Sequence, residues 1–343
     1  MVMIMKRWKI TALLIFFTLC LAGCGKKEGE ENQAGMDAAG EAVKSEAAKA
    51  TEEMNRENES AQEQAGHKKE EQIIVDPSQL TEPEIAPQET EEVLLDRSDG
   101  ERLQIVFLGD SILDGYRGST GIDYLTGINC NADVYNLAMG GTTAALTTYE
   151  KAEYERWSSR SLQGVVHAVC GEIDAGIMDG YKAGEVFASC DFSKTDYFVI
   201  EYGMNDFLSG IPLNDESEFY DAYTYVGALR VAVQRLREFY PEAAVVLCSP
   251  NYAQFFAGDG AYLGDGNTVN NGGGTLAEYY RVCGNVAQDM NTLFLNAYEG
   301  IGLDSYTAQE YLEDGIHLSE KGRRKYAEKL SQVILEYEAT KNN

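Results

Sequence analysis

Positive charge is the first thing this sequence lacks. Its 343 residues carry 28 Lys and Arg against 56 Asp and Glu, a net charge of −28. Nucleic-acid affinity comes largely from cationic side chains neutralising phosphates, so this balance argues against a nucleic-acid partner. It argues equally against a polybasic surface that docks on anionic lipid. Histidine is scarce as well: His67, His167 and His317 are the whole set. Chemistry that needs an imidazole therefore has few places to be. No Cys-x-x-Cys pair or Cys/His spacing matches a zinc site. No internal repeat is visible.

What is present begins with a short apolar stretch. Lys6, Arg7 and Lys9 precede the run Ile10 to Leu21, and Leu21-Ala22-Gly23-Cys24 follows. A basic start and a run too short to span a bilayer comfortably read as an export signal. The last four residues resemble the lipobox of bacterial lipoproteins, in which the Cys is lipidated and becomes the new N-terminus. Residues 1–24 are thus expected to be a lipoprotein signal peptide. Cys24 is the expected lipidation site, and the expected location is the outer face of a bacterial membrane.

Residues 25–100 carry 21 acidic and 8 basic side chains, and three of the six prolines fall at Pro77, Pro83 and Pro87. A stretch this polar buries too little apolar surface to offset the entropy of ordering it. It reads as a disordered acidic tether. With +3 on 1–24 and −13 on 25–100, residues 101–343 keep −18. Five cysteines remain there: Cys130, Cys170, Cys190, Cys248 and Cys283. An odd number cannot all pair internally. A Cys170–Cys190 bridge is a candidate in an oxidising exterior.

From about residue 101 the pattern changes to strand-length apolar runs: 103–108, 133–137, 197–202, 243–248 and 293–295. Nearly continuous runs of this length suit parallel strands buried on both faces. Helical spacing separates them, over 218–240, 276–290 and 319–337. Strands alternating with helices predict a doubly wound α/β domain over 101–343. In such sheets ligands bind beyond the carboxyl ends of the strands. Three runs end there in polar, Gly-containing clusters, which makes neighbours of Ser111, Gly141 and Asn205.

A serine nucleophile needs a base, a carboxylate to orient that base, and donors for an oxyanion. His317 lies in Asp314-Gly315-Ile316-His317, so Asp314 can face it across one turn. Gly109-Asp110-Ser111-Ile112 resembles the first block of the SGNH (GDSL) hydrolases. Asn136-Leu137-Ala138-Met139-Gly140-Gly141-Thr142 resembles the second, Gly203-Met204-Asn205-Asp206 the third, and Asp314-Gly315-Ile316-His317 the fifth. A single Gly-Asp-Ser would be weak; four blocks in order over about 101–340 are specific.

The resemblance implies a flavodoxin-like three-layer α/β/α sandwich around a central parallel five-stranded sheet. It implies Ser111 as nucleophile, His317 as base and Asp314 as its orienting acid. The oxyanion donors would be the backbone N–H groups of Ser111 and Gly141 and the amide of Asn205. Gly140 stands directly before Gly141 and leaves the donating glycine open. Asp110, Gly203 and Asp206 are the supporting members of the blocks. No metal or organic cofactor is required by this chemistry. The expected reaction is hydrolysis of short-chain, O-acetyl-like esters, with acylated polysaccharide or cell-wall glycan as the partner. Lipid esters, acyl transfer on the same site, and a non-catalytic surface binding protein are the alternatives. Two stretches exceed what a compact member needs. One is 144–195. The other, the extended loop 251–275, is Gly- and Asn-rich and carries Tyr252, Phe255, Phe256 and Tyr262. Asp265-Gly266-Asn267 begins like a calcium loop, but Val269 and Asn270 break that pattern.

Overall fold

The five apolar runs meet in one sheet. A computed structural model describes residues 102–147 and 157–341; the expected signal, Cys24, His67 and the tether lie outside them. In chain order the strands are β1 (Leu103–Gly109), β2 (Ala132–Asn136), β3 (Tyr197–Glu201), β4 (Ala244–Cys248), β5 (Gln254–Phe256), β6 (Tyr262–Asp265) and β7 (Leu293–Leu295). Five of them line up as β2-β1-β3-β4-β7, and every neighbouring pair is parallel. Every residue of β1 and β3 is buried, as strands covered on both faces must be. Each fully buried aliphatic or Phe side chain contributes about 1.5–3 kcal/mol relative to exposure.

The helices are α1 (Ser111–Asp114), α2 (Ile122–Asn129), α3 (Leu162–Val169), α4 (Lys182–Phe187), α5 (Met204–Leu208), α6 (Tyr225–Phe239), α7 (Leu276–Asp289), α8 (Ala308–Tyr311) and α9 (Glu320–Lys341). α2 and α9 pack on one another, and α3, α6 and α7 form a second packed group. With the sheet between them this is the three-layer α/β/α sandwich. The chain adds β2 on one side of β1 and then crosses to add β3 on the other. The opening between β1 and β3 is therefore the switch point at which open α/β sheets hold ligands. Gly109 and Glu201, the last residues of β1 and β3, are paired across it.

The structure departs from the sequence expectations in three places. The helix expected from 218 starts at Tyr225, because Glu218 to Thr224 is spent on turns and a cap. Asp221 accepts from the Tyr223 N–H at 3.0 Å, and Thr224 Oγ1 accepts from the Gly227 N–H at 3.1 Å. The loop expected over 251–275 contains the antiparallel hairpin β5–β6. Cys170 and Cys190 are not bridged; all five described cysteines are free thiols. Burial pushes the Cys170 and Cys190 thiols up to about 12. Among the described residues no helix is long and apolar enough to cross a membrane.

Candidate active site

Three strand ends and one turn build the site. Ser111 opens α1 directly beyond β1. Its helix is capped by Asp110, whose Oδ1 accepts from the Ile112 N–H at 3.0 Å. Asn205 lies in α5 beyond β3. That helix starts at Gly203, which has φ +129° and sits so close to Tyr225 that a Cβ would lie 2.7 Å from its hydroxyl. Only glycine fits there without strain. Asp314 and His317 lie on the turn before α9.

Ser111 Oγ is 2.9 Å from His317 Nε2, and His317 Nδ1 is 2.7 Å from Asp314 Oδ2. The other Asp314 oxygen accepts from the backbone N–H groups of His317 and Ile316 at 2.8 and 3.1 Å. With a carboxylate on Nδ1, the ring carries its proton there and leaves Nε2 as the acceptor for the serine hydroxyl. The hydrogen bond to Asp314 raises the His317 pKa against the opposing effect of burial, and the charges of Asp314, Asp110 and Glu313 add to the rise. Burial works to raise Asp314, but its bonds from the His317 ring and backbone prevail and hold it at about 2. His167 is elsewhere, buried in α3 with Nδ1 2.6 Å from Glu172 and its ring stacked on Trp157.

Asn205 Nδ2 is 3.1 Å from Asp110 Oδ2 and 3.0 Å from the Thr142 carbonyl. Both of its protons have acceptors, so an oxyanion would enter as a third. The glycine ambiguity resolves through Asp114. Its Oδ2 takes the Gly140 N–H at 2.9 Å, while its Oδ1 accepts from Arg117 Nε at 2.9 Å. Arg117 also reaches the carbonyls of Asn136 and Ala138. Gly140 is thus engaged, and Gly141 is left as the candidate donor on this loop. Asp206, fully buried, accepts from the Ala144 and Ala145 N–H groups, each at 2.9 Å, and so ties the same loop to the third block. Burial raises its pKa to about 7 despite those bonds. Among the described residues no group of three or more His, Cys, Asp or Glu is placed to hold a metal ion.

A model of the GDSL-like lipase/acylhydrolase family matches residues 107–325. The chain belongs to that family. A curated relative, the isoamyl acetate-hydrolyzing esterase 1 homolog of Bos taurus, is 31% identical over 125 residues. The match covers 36% of this chain and 49% of the relative, so it spans about half of that protein's length. One solved structure aligns at TM-score 0.52 and 19% identity, over 68% of this chain and 96% of its own. A variant of an acetyl-xylooligosaccharide esterase from Geobacillus stearothermophilus aligns at TM-score 0.43 and 20% identity, over 68% and 94%. At 19% identity the first of these structures speaks to the fold alone.

Two features of this GDSL-family site were not legible in the motifs. One is Glu201, fully buried at the end of β3 against Asp110, whose backbone and carboxyl are its polar neighbours. Its partner is the Asp110 carboxyl. Two carboxyl groups bond only if one keeps its proton. Burial, then the charge and bond of Asp110, raise Glu201 well above the ordinary range, which favours the proton on Glu201. Asp110 itself is raised by burial to about 6. The other feature is a clamp. Buried Arg323 donates to the carbonyls of Thr120 and Leu318 at 2.8 and 2.7 Å and to Glu313 at 3.3 Å, and Glu313 also accepts from Tyr116.

Proposed function

We propose that this chain is an extracytoplasmic serine esterase that hydrolyses short-chain, O-acetyl-like esters through an acyl-enzyme. The observation that carries the reading is the unbroken line Asp314–His317–Ser111, with contacts of 2.7 and 2.9 Å. His317 Nε2 takes the Ser111 proton as Oγ attacks the acyl carbonyl. Asp314 fixes the tautomer and stabilises the imidazolium. The oxyanion is met by the N–H groups of Ser111 and Gly141 and by the Asn205 amide. His317 then protonates the departing alcohol. Water, activated by the same ring, releases the acid and restores Ser111. The acetate ester in the bovine relative's name supports the short acyl group. O-acylated polysaccharide or cell-wall glycan is the proposed substrate, in keeping with an exported enzyme held by a lipid on Cys24.

The test is labelling with a fluorophosphonate together with turnover of a soluble acetate ester. The parent should be labelled at Ser111 and hydrolyse the ester; folded Ser111→Ala should do neither. Parental turnover by that variant would end the reading. For the anchor, Cys24→Ala should release the chain from the membrane fraction of a bacterial host, and firm retention would disprove lipidation there.

A further inference from the structure

The hairpin β5–β6 is pressed against the turn that carries the base. The Gln254 N–H donates to the Gly315 carbonyl at 2.8 Å. Gly315, between Asp314 and His317, has φ +90°, and a Cβ there would lie 2.3 Å from the Gln254 carbonyl and 3.1 Å from the Phe256 ring. Side chains alternate along a strand, and here the alternation sorts two phenylalanines. Phe255 is 9% exposed and packs on Phe207, with ring centroids 5.2 Å apart. Phe256 is 45% exposed and meets Tyr262, 56% exposed, edge-on at 5.6 Å. Tyr252 braces the hairpin from below through a 2.9 Å bond to Asp265. An exposed aromatic pair is thus held beside Gly315, within the turn that carries Asp314 and His317.

The reaction gives that position a meaning. When the tetrahedral intermediate collapses, the bond from the acyl carbon to the alcohol oxygen breaks, and His317 Nε2 delivers its proton to that oxygen. The alcohol half therefore lies on the His317 side, while the acyl oxygen points to Gly141 and Asn205. Resting on the esterase reading, we propose that Phe256 and Tyr262 form the platform for the alcohol half of the substrate, and that this alcohol is a neutral sugar ring. The segment 251–275 has no Lys or Arg, which argues against a phosphorylated or uronic alcohol. One ring with the other edge-on to it offers a small face matched to the C–H face of one pyranose. A long alkyl alcohol would call for a continuous apolar groove.

Three acetates separate the outcomes: an acetylated methyl glucopyranoside, octyl acetate and ethyl acetate. They share one acyl-enzyme, so differences between them report the alcohol. Phe256→Ala/Tyr262→Ala should lower kcat/KM for the glucoside about tenfold or more, about 1.4 kcal/mol per tenfold. Ethyl acetate should stay within about twofold. Phe256→Tyr should recover most of the glucoside rate. Equal loss on all three esters, no loss on any, or loss confined to octyl acetate overturns the platform. A parent that hydrolyses none of the three and takes no fluorophosphonate overturns the esterase reading, and the platform falls with it.

Discussion

The guanidinium of Arg323 lies over the ring of Tyr116, 3.5 Å from its centroid. Tyr116 follows Ser111, the proposed nucleophile, by five residues, and Glu313, which accepts from both Tyr116 and Arg323, directly precedes Asp314. The clamp thereby joins the segment of Ser111 to that of His317, nearly 200 residues apart in the sequence. Arg323→Lys keeps the charge but cannot hold Thr120, Leu318 and Glu313 together or stack as flatly. Loss of one buried bond costs about 1–3 kcal/mol. The variant should melt lower, and kcat should fall more than KM changes. Parental melting and parental kcat together would show that the clamp has no such role.

Proton affinity sets the acid limb of activity. Only neutral His317 can accept the serine proton. Its pKa is raised above the ordinary value of about 6.5, first by the bond to Asp314. kcat/KM should therefore fall as pH drops through a value above 6.5. Asp314→Asn removes both the carboxylate bond and its charge. What activity remains should have its acid limb at lower pH than the parent. An unmoved or raised limb in that variant would contradict the assigned pair.

Glu201 gives a prediction about stability. Its folded pKa is raised, so its contribution is full below the unfolded carboxyl value of about 4.3 and is lost as pH rises through the folded value. Gln does not titrate and still donates to Asp110. The melting temperature of the parent minus that of Glu201→Gln should therefore decline with rising pH, measured by thermal melts from acid to mildly alkaline buffer. Turnover should survive in Glu201→Gln and be lost in Glu201→Leu, because Asp110 also caps α1 and holds Asn205. A difference in melting temperature that is flat with pH would refute the protonated carboxyl.

The sequence revealed strands better than connections. Strands buried on both faces must be apolar throughout, so 103–108 and 197–202 announce themselves. The blocks around Ser111, Gly141, Asn205 and His317 are local, and the sheet only has to gather them. Glu201 sits inside an apolar run and reads as one more strand residue, since nothing in the spacing records that it is buried against Asp110. The clamp is invisible for a related reason: Tyr116 and Glu313 meet only in three dimensions. The hairpin reads as a loop in the sequence because β5 has three residues and glycines and asparagines crowd the segment.

The two tasks proposed for Asn205 can be separated by kinetics. Its amide meets Asp110 and the Thr142 carbonyl at rest, and would meet the oxyanion only as charge develops. An interaction made in the transition state alone acts on kcat. Removing one such donor typically lowers kcat about 100- to 1000-fold. Asn205→Ala should therefore show a loss of that order with KM little changed. It also frees the Thr142 carbonyl and one Asp110 oxygen, so a modest fall in melting temperature should accompany it. Asn205→Asp discriminates further. It presents oxygen to Asp110, Thr142 and the oxyanion alike, and should be worse than alanine in both turnover and stability. The measurements are steady-state rates on one acetate ester and thermal melts of the purified variants. Near-parental kcat in Asn205→Ala would remove this residue from the oxyanion site and leave it only the loop-tying role.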